Sequence, residues 1–353
     1  MSKYVISGYY GFGNAGDEAI LEAIIRSLQE QDEQAEITVL SAQPERTTAE
    51  HGVRAVHRTR LGQIVPALRR ADLFISGGGG LLQDATSSRS LLYYLGLLRL
   101  ARLLGCKTMV YANSIGPIRR QRNQRLTANI LKKTDYITVR DQLSLQLLAD
   151  LGVQGPPMKL TADPVLLLPT PVIEPKPQTL VIAVREWPSE HDFLEQVKLA
   201  GRRWVQDGFS LRFIPFHYSR DLAISQQLAA EIGPGASCLS QPQGFNDLLG
   251  ELAQAEVVVA MRLHALIMAA ACNRPLVGIA YDPKIIGFLQ SVDQPLAGTT
   301  DNLQAQQLYE QVLAVYRQRD KLKQHLADQL VLLQKLAANN ARIARALAKG
   351  EEI

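Results

Sequence analysis

Residues 255–284 read AEVVVAMRLHALIMAAACNRPLVGIAYDPK, and their pattern decides the fold. AEVVVA is a short apolar run rich in β-branched residues, as expected of a strand covered on both faces. LHALIMAAACN continues with apolar residues at helical spacing, and Leu276–Ile279 resumes a strand. A strand–helix–strand unit of this kind belongs to a parallel sheet. Arg262, His264 and Lys284 are set into this core-like unit, at junctions where a strand passes into a helix. In a doubly wound sheet those junctions form the carboxyl edge, outside which ligands bind. Arg is rarely buried without a partner, so Arg262 calls for an anion, either a ligand or a structural carboxylate. His264 alone would equally fit a ring satisfied by the backbone. With YDPK following, where Asp282 and Pro283 start a helix and Lys284 could reach back, the R-x-H pattern marks a candidate site.

The same alternation extends outward in both directions. Strands are expected at Tyr4–Ser7, Ile37–Leu40, Val53–Val56, Leu73–Ser76, Thr108–Tyr111, Tyr136–Val139 and Pro164–Leu168, with helices such as Asp17–Gln31 and Ser88–Leu104 between them. PTPVIEPKP, residues 169–177, is too rich in proline for a helix or a central strand and reads as a linker. After it the pattern restarts at Leu180–Val184 and Leu211–Pro215. The expected architecture is α/β, with two Rossmann-like doubly wound domains facing a cleft and a helical C-terminal tail. The domains are placed at 1–169 and 179–300, joined by 170–178, with the tail at 301–353 packed amphipathically on them.

Composition sets limits. With 46% hydrophobic and 20% charged residues, the 353-residue chain is neither disordered nor fibrous. Its net charge of +4 comes from 38 Lys and Arg that read as scattered, which favours small anionic ligands over nucleic acid. Cys106, Cys238 and Cys272 form no C-x-x-C pair and suggest reduced thiols in a cytoplasmic protein. Neither a secretory signal nor a transmembrane segment is expected. His51 and His57 flank a strand with no third ligand evident, so no metal is expected.

Two glycine loops stand at strand ends. Gly11, Gly13 and Gly16 satisfy G-x-G-x-x-G, a spacing that can turn backbone N–H groups toward an anion at a helix N-terminus, with Asp17 placed to cap that helix. The second strand ends in Leu40, Ser41 and Ala42 without the acid a dinucleotide ribose needs, which argues against a nicotinamide or flavin cofactor. SGGGGLLQD, from Ser76 to Asp84, spends four glycines where a tight turn needs one or two, suggesting close approach of a ligand. Arg140 after YITV and Arg185 after VIAV stand at similar strand ends, where a guanidinium can hold phosphate or carboxylate.

GNAGDEAIL, SGGGGLLQD, SIGP, YITVRDQLS, ADPV, MRLHALI and GIAYDPK together resemble the polysaccharide pyruvyl transferase family, and most of all its branch that pyruvylates secondary cell-wall polymers anchoring S-layer proteins. The resemblance spans nearly the whole chain up to about Phe288. It implies a fold like that of GT-B glycosyltransferases and transfer of pyruvate from phosphoenolpyruvate to a hexose such as N-acetylmannosamine, giving a 4,6-ketal and phosphate. By similarity Arg262, His264 and Lys284 are catalytic and bind the donor together with Arg140 and, more weakly matched, Arg185. His264 would act as general acid or base. The acceptor, which a lipid carrier would bring to the inner membrane surface, would meet Gly11, Gly13, Asn14, Gly16, Asp17, Gly78, Gly79 and Asp84. No cofactor beyond the co-substrate and no nucleic-acid partner is implied. The alternatives are a nucleotide-sugar glycosyltransferase of the same fold, for which Glu256 and Asp282 are the only nearby acids, and a non-catalytic anion-binding module.

Overall fold

The computed structural model describes residues 1–85, 87–241 and 244–353. The chain divides into two units, one of Met1–Phe12, Asp17–Leu167 and Leu333–Ile353, the other of Gly13–Gly16 and Leu168–Leu332.

The first unit carries strands β1 Lys3–Ser7, β2 Glu36–Ser41, β3 Arg54–His57, β4 Leu73–Ser76, β5 Lys107–Asn113, β6 Tyr136–Val139 and β7 Met158–Leu160. They form one parallel sheet in the order β3-β2-β1-β4-β5-β6-β7. Its helices are α1 Ala15–Gln31, α2 Pro44–His51, α3 Leu61–Arg70, α4 Ser88–Leu103, α5 Gln121–Leu131 and α6 Gln142–Asp150. LFIS of β4 and YITV of β6 are buried at every position, as a parallel sheet covered on both faces requires. Val5, Phe74, Val110 and Ile137 of the sheet share one core with Ile64, Leu95, Leu98, Leu131 and Leu148 of the helices.

The second unit contains β8 Thr179–Ala183, α7 Phe193–Gln206, β9 Ser210–Phe213, α8 Tyr218–Ile232, β10 Ala236–Cys238, α9 Phe245–Ala253, β11 Val257–Ala260, α10 Leu263–Ala271, β12 Leu276–Ala280, α11 Pro283–Ser291, β13 Leu296–Thr299 and α12 Ala305–Arg317. Its sheet is again parallel, in the order β10-β9-β8-β11-β12-β13. Trp204 of α7 and Leu308, Val312 and Val315 of α12 close its core. The last helix, α13 Arg319–Lys349, counts with the second unit up to Leu332 and with the first beyond it. There Asn340 Oδ1 accepts from Thr161 Oγ1 at 3.0 Å, and Lys107 Nζ donates to the Leu347 carbonyl at 2.9 Å. No described helix is long and apolar enough to cross a membrane.

Two local expectations are corrected, and two edge strands are added. The strand expected at Pro164–Leu168 is a 3₁₀ turn over Pro164–Leu167, and the seventh strand lies earlier, at Met158–Leu160. Pro164 has no N–H for a ladder, and Asp163 Oδ1 takes the Val165 amide at 2.9 Å, which closes a turn instead. The edge strands β10 and β13 carry no apolar run to announce them. Finally, α1 begins at Ala15, so Asp17 lies inside its first turn, and Asn14 Oδ1 accepts the Gly16 amide at 3.3 Å in the capping role.

Candidate active site

In each sheet the strand order reverses at one point, between β1 and β4 in the first unit and between β8 and β11 in the second. A crevice opens outside the carboxyl ends of the strands at such a switch point.

The second unit brings four of the expected residues to one sheet edge. Arg185 follows β8, Arg262 stands at the N-cap position of α10 after β11, His264 is in the first turn of α10, and Lys284 is in the first turn of α11 after β12. Asp282 caps α11 by accepting the Lys284 amide at 2.9 Å. Arg185 lies over Trp187 and Tyr281, 5.0 and 5.2 Å from their ring centres, and its Nη1 donates to the Tyr281 hydroxyl at 3.4 Å. The anion demanded by Arg262 is Asp221 of α8: Arg262 Nε donates to Asp221 Oδ2 at 3.0 Å and Nη2 to Oδ1. Asp221 is fully buried, and its Oδ2 also takes the His217 amide at 2.9 Å. The carboxylate thus fixes the guanidinium in place rather than leaving it to a ligand alone.

The Gly13–Gly16 segment belongs to this unit. Ala15 N donates to the Phe216 carbonyl at 3.2 Å, and Asn14 bridges His217. A Cβ on Gly16 would fall 2.4 Å from His264 Nδ1, so the third glycine of the motif is required by the imidazole. The Ala15 and Gly16 amides, two of those the sequence pattern offered to an anion, are thereby taken up within the fold. The amide of Gly11 is likewise donated to Glu18 Oε1, at 2.9 Å.

His217 and Asp221 are site residues that sequence reading missed. His217 is the N-cap residue of α8, at the junction that follows β9, so the rule applied to Arg262 would have found it. Burial, and then Arg220 and Arg262, lower its pKa below the ordinary imidazole value. Asp221 lies inside α8 and carries no local signal of its role.

In the first unit, Arg140 follows β6 and is nearly buried against Asp163 of the ADPV motif, with Nε donating to Ser114 Oγ at 2.8 Å. It is therefore held by residues after β5 and β7, and it stands in a different unit from the other four donor candidates. Asp84 is committed to α5. It accepts the Arg119 and Arg120 amides at 2.6 and 3.1 Å and Asn123 Nδ2 at 2.7 Å, and despite partial burial these donors lower its pKa. Packing explains three of the four glycines: Cβ atoms on Gly77 and Gly78 would overlap the Tyr10 hydroxyl and Ile20, while a Cβ on Gly79 would sit 3.2 Å from Asp17 Oδ1. Glu256 binds the Gln178 amide at 2.6 Å and Arg319 at 3.1 Å, so neither it nor Asp282 is placed as a ribose acceptor.

A second titratable cluster lies behind the first glycine loop. His51 Nδ1 is 2.7 Å from Glu22 Oε2 and its Nε2 is 3.6 Å from Glu18 Oε2, while Arg26 Nε holds Glu22 at 2.5 Å. Burial pulls the imidazole pKa down, but the two glutamates outweigh it and raise it to about 9. Glu18, Glu50 and His51 also place ligand-type atoms within 4.8 Å of one another, a grouping that sequence spacing did not reveal; His57 is not in it.

Among solved structures the fold is similar to Anabaena Alr3699/HepE in complex with UDP and glucose, with a TM-score of 0.63 at 14% identity, covering 99% of this chain and 100% of that one. It is also similar to UDP-GlcNAc 2-epimerase from Neisseria meningitidis bound to UDP-GlcNAc (TM-score 0.67, 10% identity, 99% and 100% covered). A third is sucrose-phosphate synthase from Thermosynechococcus elongatus (TM-score 0.64, 12% identity, 99% and 100% covered). At such identities the likeness concerns the GT-B fold. No curated protein matches the sequence. A family model described as polysaccharide pyruvyl transferase matches residues 14–283.

Proposed function

This chain belongs to the polysaccharide pyruvyl transferase family, and we propose that it transfers pyruvate from phosphoenolpyruvate to a hexose of a cell-surface polysaccharide precursor. The acceptor we favour is an N-acetylmannosamine-type residue of a secondary cell-wall polymer that anchors S-layer proteins. The enzyme would work in the cytoplasm, at the inner face of the plasma membrane when the acceptor is lipid-linked. The observation that carries the reading is the convergence of Arg185, Arg262, His264 and Lys284 on adjoining strand ends at the switch point of the second sheet.

The chemistry suits these groups. Donor C3 accepts a proton, C2 becomes cation-like, and a sugar hydroxyl adds to it while losing its proton. The C2–O bond to phosphate then breaks, and a second hydroxyl, losing its own proton, closes the ketal. His264 would deliver or accept a proton, worth roughly 10²- to 10⁴-fold in rate. Arg262, oriented by Asp221, and Lys284 would neutralise the donor's anionic groups and the departing phosphate, with Arg185 beside them. Arg140 is held by Asp163 and Ser114 within the first unit. The sugar is assigned to the first switch point, through Asp17 and the Gly78–Gly79 backbone of the first unit. Asp84 serves the start of α5 instead. No step needs a metal, so phosphate release that survives a chelator is expected.

Calorimetry with phosphoenolpyruvate, run beside UDP-GlcNAc, tests the reading. Arg262→Lys keeps a charge but loses the fork to Asp221, and donor affinity should fall roughly 10- to 100-fold. His264→Ala should keep donor binding and lose phosphate release. Binding of UDP-GlcNAc in place of phosphoenolpyruvate would overturn the proposal in favour of a glycosyltransferase.

A further inference from the structure

Ten of the 38 Lys and Arg lie between Asp84 and Asp135, a stretch without a single Asp or Glu. The other 28 stand against 34 acidic residues, so the rest of the chain is net negative. The basic residues are therefore not scattered, as the totals suggested, and an asymmetry of this size points to a partner surface.

The fold turns the stretch into a face. α4 and α5 follow successive strands in one direction across the sheet, so right-handed crossovers place both on the same side, where they pack together. On α4 the exposed positions Arg89, Leu92, Gly96, Arg99 and Leu103 recur every three or four residues, with Arg102 alongside. On α5 they are Arg122, Arg125 and Asn129, followed by Lys132 and Lys133. Among the described residues none of these cations enters an ion pair. Leu92 and Leu103 are 45% and 71% exposed within this basic field. A groove of about 390 Å³ runs between the helices, floored by Leu98, Leu126 and Ile130 and rimmed by Arg99, Arg102 and Lys133.

We propose that this α4–α5 face docks on an anionic phospholipid bilayer. Unpaired cations are drawn to anionic headgroups, and arginine forks bind their phosphates through two hydrogen bonds. The exposed leucines and the apolar groove floor then gain by entering the headgroup–acyl boundary. Nucleic acid fits less well, because the exposed stripes carry leucine and no aromatic side chain on which bases would stack. The inference stands on charge and exposure and does not depend on the reaction. On the pyruvyl-transfer reading it would bring the enzyme to a membrane-borne saccharide.

Co-sedimentation of the full chain with vesicles tests it. Binding is expected to vesicles of phosphatidylcholine with phosphatidylglycerol, weakening as salt rises, and not to phosphatidylcholine alone. The triple variant Arg99→Gln, Arg102→Gln, Lys133→Gln should bind roughly a hundredfold more weakly, at about fivefold per cation removed. Leu103→Asn should cost several-fold. A control removing the same charge elsewhere, Arg54→Gln, Arg60→Gln, Arg70→Gln, should bind within a few-fold of the parent. All these positions are exposed, and unchanged thermal melts would show that the variants fold. Equal binding to neutral vesicles, no binding to anionic ones, or equal weakening in the control would overturn the proposal. So would preferential binding of a DNA duplex that the α4–α5 variant abolishes. None of these outcomes depends on phosphate release, so they leave the catalytic reading to its own test.

Discussion

Replacing Gly16 with alanine is expected to lower phosphate release by about two orders of magnitude while leaving the protein folded. The new methyl carbon would lie 2.4 to 2.7 Å from Nδ1, Cγ and Cβ of His264, closer than any real contact, so the imidazole must swing away. A displacement of about 1 Å at a proton-transferring group is enough for a loss of that size. Stability should respond differently. Gly16 sits in the first turn of α1 with no left-handed backbone requirement, and alanine suits a helix interior better than glycine by up to about 1 kcal/mol. Activity and melting temperature are therefore expected to part company, which a general packing defect would not produce. Gly16→Ala with parental turnover would remove His264 from the proposed chemistry.

The second large effect belongs to His51. Replacing it with leucine should cost about 3–5 kcal/mol, because Glu18 and Glu22 would be left buried without the imidazolium between them. A fall in melting temperature of roughly 10 °C follows for a unit of this size. The pH dependence has a definite sign. The folded-state pKa, about 9, lies above the ring's ordinary value of 6.5. The stabilisation, of about 3 kcal/mol, is complete below about 6.5 and disappears as pH rises through about 9. Thermal melts between these limits should show the parent losing stability while His51→Leu stays flatter. Because Glu18 also holds the Gly11 amide, the variant should loosen the first glycine loop. Parallel pH profiles for both proteins would show that His51 is neutral in the fold.

Much of the architecture was legible because its signals are local. The runs LFIS, YITV, VVVA and LVGIA announce strands buried on both faces, and the helical spacing between them implies parallel crossovers. What escaped was short and peripheral. β10 and β13 are edge strands half in solvent, and ADPVLLL was apolar enough to pass for a strand until Pro164 and Asp163 turned it. The basic face is legible in composition when charge is counted segment by segment, and a total over the whole chain hides it.

The sequence by itself determined a parallel α/β protein and the positions of Arg185, Arg262, His264 and Lys284 at strand-to-helix junctions, since periodicity and junction position are properties of neighbouring residues. Tertiary structure alone decided the partners of those groups. Asp221 for Arg262, Asp163 for Arg140, Gly16 for His264 and the two glutamates for His51 come from separate elements. The physical reason is that a buried charge must be paired, while the identity of its partner depends on strand order and crossover side, which no local pattern encodes.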